Sequence, residues 1–224
     1  MPKIIYAIND GMAINYETTS WADTRKASSA NTASSASTLP NAILANKAAG
    51  RGGTTYGISR TFMQFDTSSI TATPESATLH IYGYDDNDLE VVIMQALAYS
   101  TLDIWDFNNI SGTAIALNNS DGSGGGALGG LHGTEYSTVE DGISWSVGSY
   151  NNISLNSDAL SDMTSNNKLE ICVMGYTYDY LDIEPSGNNR SGLYSSAESG
   201  TSKDPYLEYV VAAADNATFF GANF

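Results

Sequence analysis

Few side chains in this sequence can do covalent chemistry. Its 224 residues contain two histidines, His80 and His132, and one cysteine, Cys172. His80 lies in the strand-like run ATLHIYGY and His132 in a glycine-rich stretch. No serine sits in a nucleophile-elbow motif that would present it to such a base, so no catalytic residue is assigned. Cys172, inside LEICVM, cannot form an intramolecular disulfide and reads as a small buried hydrophobe. The carboxylates are better grouped. Asp179, Asp182 and Glu184 in YDYLDIEPSG stand beside Tyr176, Tyr178 and Tyr180, and Glu140-Asp141 makes a second acidic pair. Paired acids are what glycoside hydrolysis requires, and aromatic rings are what a sugar stacks on. Strand alternation after LEICVMGY would also set these tyrosines along one exposed sheet face, where cross-strand packing accounts for them equally well. The expectation is therefore glycan contact at Tyr176, Tyr178, Tyr180, Asp179 and Asp182, without catalysis.

A second polar cluster is YSSAES (194–199), set just before the last apolar run. Ser195, Ser196 and Glu198 are the short polar groups that satisfy backbone atoms where a strand ends and a loop folds over. For metal, the oxygens of DDND (85–88) or NNSDGSGGG (118–126) would supply part of a calcium shell, but neither has the EF-hand spacing, and no ligand set is named.

The charge balance narrows the partners. Nine Lys and Arg against 25 Asp and Glu give a net charge of −16. A nucleic-acid backbone would be repelled, so no nucleic-acid partner is expected. No stretch approaches the ~18 apolar residues of a membrane span. The first residues, MPKIIYAINDGMAINYE, lack the apolar core of a cleaved signal, so export by that route is not expected.

The elements that must position these groups are short strands. Fourteen tyrosines, 21 glycines and abundant Ser, Thr and Asn suit pleated segments joined by turns. Strands are predicted at 4–8, 59–66, 77–84, 89–97, 150–155, 169–176, 191–196 and 206–211. Asp85 to Asp88 reads as a hairpin turn joining 77–84 to 89–97. One short helix is predicted at 156–163, capped by Asn156 or Ser157 and crossing between sheets. Residues 27–57 and 118–133 read as long Gly/Ser-rich surface loops. The sum is an all-β fold, an antiparallel two-sheet sandwich.

The motifs add a resemblance. SRTFMQFDTSSITATPESATLHIYGY (59–84) resembles the Arg-x-Phe-x-x-Phe-Asp-x-Ser-x-Ile signature of DNRLRE-type jelly rolls, relatives of the carbohydrate-binding-module sandwiches. LYSSAESGTSKDPYLEYVV (193–211) is similar to their closing pattern, and Ser20-Trp21 with Arg25, and LDIWDF (102–107), to the form found in phage sequences. The resemblance spans residues 1–211 and implies a jelly roll framed by Arg60, Phe65, Asp66, Ser195, Ser196 and Glu198. It also implies a structural calcium near the loop joining early strands. Phe65 should be buried, and Asp66 should accept hydrogen bonds from the Thr67–Ser69 backbone.

Beyond residue 211 the pattern breaks into AAADNATFFGANF, whose Phe219, Phe220 and Phe224 would be costly to leave in water. Residues 212–224 are expected to dock on another chain, either a second copy in a homo-oligomer or other virion proteins. The expected role is a non-enzymatic decoration or fibre protein on the outer surface of a phage capsid or tail. The alternative is an adhesin module that binds cell-surface glycans.

Overall fold

A computed structural model describes residues 2–17, 20–35, 41–97, 99–110, 134–137, 142–197, 200 and 202–212. His132, Glu140-Asp141, Glu198, the segment 118–133 and the three phenylalanines of the tail lie outside the described residues.

Alternation of apolar and polar residues builds the first layer. In β5 (Ser76–Asn87), Ala77, Leu79 and Ile81 are buried while Thr78, His80 and Tyr82 face outward, as a half-buried strand requires. Its first part pairs with β7 (Tyr150–Ser154) on one side and β10 (Tyr206–Val210) on the other, and β10 pairs with the start of β1 (Lys3–Glu17). The second layer contains the rest of β1, β2 (Thr32–Ser34), β3 (Asn41–Gly50), β4 (Gly53–Asp66), β6 (Val91–Gln95), β8 (Lys168–Gly175) and β9 (Asn188–Leu193). Every ladder between named strands is antiparallel, giving an all-β sandwich of jelly-roll character.

Two long strands belong to both layers. β1 leaves β10 at Tyr6 and continues on β4, with a register shift between Ala7 and Asn9. β5 leaves β10 at His80 and β7 at Tyr82 and continues on β9, with a shift between Gly83 and Asp85. An extra residue bends a strand and re-aims it, which is how one strand turns a sandwich corner. At the second corner the backbone of Ser146 comes so close that a Cβ on Gly83 would stand 1.9 Å from its carbonyl oxygen.

β4 is buried on both faces from Gly57 to Phe65. One face meets an irregular layer made of α1 (Trp21–Lys26), a 3₁₀ turn (Ile104–Asn108) and a π turn (Tyr176–Tyr180), all three of which supply partners to Arg60. Phe65 is fully buried, and Asp66 accepts a hydrogen bond from the Ser68 amide at 3.0 Å, as expected. Cys172 is buried and free.

The predicted helix is α2 (Ser157–Ser165), with Asn156 accepting from the Asp158 and Ala159 amides; it carries the chain from β7 to β8, one layer to the other. Two expectations fail. Residues 77–84 and 89–97 do not form a hairpin: β5 ends on β9, whereas β6 pairs with β8. Asp88 takes a left-handed φ of 54°, and Leu89 is buried directly after it, so the link dives across the structure instead of folding back. A polar turn specifies a change of direction but not which strand lies alongside. The span 27–57 is not one loop either, since 41–50 and 53–57 are paired strand. Ala30, Ile43 and Ala45 supply its buried apolar positions; they are too sparse to stand out in a Ser/Ala-rich stretch.

Candidate functional site: an aromatic sheet face

Register carries rings from distant parts of the chain onto one surface. Tyr6 of β1 is opposite Tyr206 of β10, which is opposite His80 of β5, and His80 is opposite Asn152 of β7. One step along, Tyr82 is opposite Tyr150, and the Tyr194 amide donates to the Tyr82 carbonyl at 3.1 Å, which brings in a further ring. The result is a continuous outer-face array of seven rings, Tyr6, Tyr206, His80, Tyr150, Tyr82, Tyr194 and Tyr84, each within 4.3–5.8 Å of a neighbour between centroids. His80 stacks on Tyr206 with planes 9° apart, whereas Tyr82, Tyr150 and Tyr194 meet edge to face, the preferred geometry of aromatic pairs.

Polar groups are threaded through the array. The ammonium of Lys203 sits 3.9 Å from the centre of the Tyr194 ring, a close cation–π contact. His80 Nδ1 and Asn152 Oδ1 are 2.7 Å apart. The Tyr82 hydroxyl donates to the Gly148 carbonyl and the Tyr150 hydroxyl to the Ser202 carbonyl, so both rings are fixed in place. Burial, together with the charges of Tyr206 and Asp204, pushes the Tyr150 phenol up to about 12. Tyr6 and Tyr84, at the two ends of the array, are 48% and 50% exposed, which is open area for a flat ligand.

The other tyrosine group has a different setting. Tyr176, Tyr178 and Tyr180 do not continue β8 as alternating strand residues; the backbone closes into the π turn, and all three are half-buried, with Tyr176 and Tyr180 stacked at 5.5 Å. Asp179 points inward, 1% exposed, and takes two hydrogen bonds from Arg60, at 2.7 and 2.8 Å. Arg25 donates to the Asp179 carbonyl at 2.6 Å and stands 3.4 Å from Asp182. Burial raises the Asp182 carboxyl, and the Arg25 charge opposes that shift. Glu184 pairs with Lys47 at 2.5 Å. The three acids singled out in the sequence thus each face a cation, and Asp179 serves the interior.

YSSAES is tied to the first strand. Ser195 is buried, and the Ser196 amide donates to the Asp10 carboxylate at 2.6 Å, so the cluster receives an acid from β1. Among the described residues no group of three or more His, Cys, Asp or Glu side chains is placed to hold a metal. In DDND, Asp85 is paired with Arg190 at 2.6 Å.

The seven-ring face was not singled out in the sequence. Part of it was visible there, since His80, Tyr82 and Tyr84 recur at the strand period; the rest depends on register between strands far apart in the chain. No family model matches this chain, and no curated protein matches it. No described helix is long and apolar enough to cross a membrane.

Proposed function

We propose that this chain is a non-catalytic module that binds glycans on the tyrosine face of the β1, β10, β5 and β7 layer. The observation that carries the reading is the continuous array of seven rings on one outer face, interleaved with Lys203, Asn152 and tyrosine hydroxyls. Sugars offer apolar C–H faces and hydroxyls together, and a ligand surface for them combines aromatic area with a few placed polar groups. The cation partners of Asp179, Asp182 and Glu184 support the non-catalytic part, because each carboxylate is engaged within the fold and a catalytic acid or base has to meet the substrate. The proposed setting, the outside of a phage particle as a decoration or fibre component, rests on the motif resemblance and on the charge of −16, which keeps a particle surface soluble.

A glycan array probed with the wild type and with the Tyr82→Ala/Tyr206→Ala double variant tests the binding role. Saturable signal in the wild type that falls at least tenfold in the variant is expected. No signal for any glycan, or equal signal for both proteins, would overturn it. Mass spectrometry of purified particles tests the setting, which fails if the chain is missing from them.

A further inference from the structure

β6 is the last strand of the second layer, and beside its end the surface opens into a cavity of about 600 Å³. Pairing explains the opening. Gln95 is opposite Ile171, and the Ala96 amide still donates to the Glu170 carbonyl at 3.0 Å. The Leu97 amide turns instead to the Asn109 carbonyl at 2.8 Å, which takes the chain off β8 before Lys168 is reached. Gln95, Leu97, Tyr99, Asn166, Lys168 and Glu170 are among the residues that line the space left over.

Two opposite charges share its wall. Lys168 and Glu170 are two apart on β8 and therefore on one side of the strand, opposite Asp66 and Gln64 of β4. The buried Gln64 amide donates to one Glu170 oxygen at 2.7 Å and to the Tyr99 carbonyl at 2.5 Å, which holds both residues at the cavity. Among the described residues neither Lys168 nor Glu170 is in an ion pair, with each other or with any other charge. The Tyr99 hydroxyl, in the same wall, is buried with no hydrogen-bond partner, which an acceptor from outside would supply. Leu97, 45% exposed, adds an apolar surface.

We propose that this cavity binds a free α-amino acid with an apolar side chain, its carboxylate on Lys168, its ammonium on Glu170 and its side chain against Leu97. A space of this size suits a small molecule, and a few convergent polar groups beside apolar surface fix its orientation. An anion alone would face the Glu170 carboxylate and a cation alone the Lys168 ammonium, whereas a ligand carrying both signs satisfies both. The strand sets the two residues about 6.5 Å apart at the backbone, a gap that their flexible stems close on two charges flanking one carbon atom. A residue inside a polypeptide has neither charge and would not be held. The cavity belongs to the other layer from the tyrosine face, so the two sites are independent.

The test is isothermal titration calorimetry of the full chain at neutral pH with L-leucine, N-acetyl-L-leucine and L-leucinamide, repeated on Lys168→Gln and Glu170→Gln. Glu170→Gln keeps an oxygen for the Gln64 amide, and Lys168 is exposed, so both variants should hold the wild-type fold by circular dichroism. The wild type should bind leucine saturably and each capped analogue at least tenfold more weakly, because each lacks one charge. Lys168→Gln should weaken leucine at least tenfold and erase its advantage over leucinamide; Glu170→Gln should do the same against N-acetylleucine. The Tyr82→Ala/Tyr206→Ala variant should bind leucine as the wild type does. No saturable heat with leucine, isoleucine, valine, methionine or phenylalanine at millimolar concentration would overturn the site. Equal affinity for leucine and either capped analogue would also overturn it, since that marks a site for a single charge, as would loss of leucine binding in the tyrosine variant, which moves the ligand to the other layer.

Discussion

Arg60 and Asp179, 119 residues apart in the chain, form a two-pronged ion pair that is almost wholly removed from solvent, with Nε and Nη2 of the guanidinium on the two carboxylate oxygens. The remaining Arg60 nitrogen donates to the Phe107 carbonyl and to Asn108, and the guanidinium lies 4.2 Å from the Phe107 ring centre. β4, α1, the 3₁₀ turn and the π turn are therefore pinned through one side chain. Removing one partner of a buried pair leaves the other uncompensated, at a cost of about 3–5 kcal/mol. Asp179→Ala is expected to lower stability by about that much, read from the denaturant midpoint, because it leaves both Arg60 and Arg25 without their shared carboxylate. A change too small to measure would show that the pair is solvated.

The end of β4 separates packing from turn chemistry. Phe65→Ala is expected to cost ~3–5 kcal/mol, since it empties a fully buried aromatic site. The adjacent Asp66→Ala removes only an exposed cap on the Ser68 amide and should shift the midpoint far less. Equal losses in the two variants would count against a core role for Phe65.

The second sandwich corner depends on a missing side chain. Gly83→Ala would place a methyl 1.9 Å from the Ser146 carbonyl oxygen, a backbone atom that cannot swing aside. Forced repacking of this kind costs roughly 1–3 kcal/mol. Gly148→Ala in the neighbouring loop meets no atom within 4 Å, although its φ of 75° adds strain, and provides the comparison. Gly83→Ala should melt lower than Gly148→Ala; the reverse order would show that the corner is relaxed.

Alkali should expose the tyrosine face. The Tyr150 phenol is held up to about 12 by burial and by the Tyr206 and Asp204 charges, while in the unfolded chain it titrates near 10. Between those values the folded state holds a proton that the unfolded state has lost. Stability is thus fully present below about pH 10 and falls as pH rises through the folded value. Tyr99 and Tyr136 are shifted in the same direction, both by burial first. Phenolate absorbance should rise in two stages, exposed tyrosines first and these three late, and Tyr150→Phe should soften the loss of stability seen by circular dichroism above pH 10. A single unshifted tyrosine transition would refute this.

Local pattern was enough for much of the fold. Every span named as strand from the sequence contains one: β5 and β10 show a buried face at period two, whereas β4, β6 and β8 are apolar runs buried on both faces. The cap at Asn156 was legible too, since capping involves only residues two and three positions ahead. The burial of Cys172 followed from its apolar surroundings, and that of Phe65 from the motif that carries the resemblance.

Pairing was decided only by tertiary structure. That β5 ends on β9 and not on β6 depends on the corner at Gly83 and on the burial of Leu89, neither of which a turn sequence encodes. The inward turn of Asp179 depends on Arg60 and Arg25, more than a hundred residues away, because a buried cation draws a carboxylate out of a strand pattern that would otherwise expose it. The aromatic face arises in the same way. His80, Tyr82 and Tyr84 share a side by strand period alone, but Tyr6, Tyr150, Tyr194 and Tyr206 join them through register across four segments of chain. Composition set how many rings this protein has, and the sheet set which of them touch.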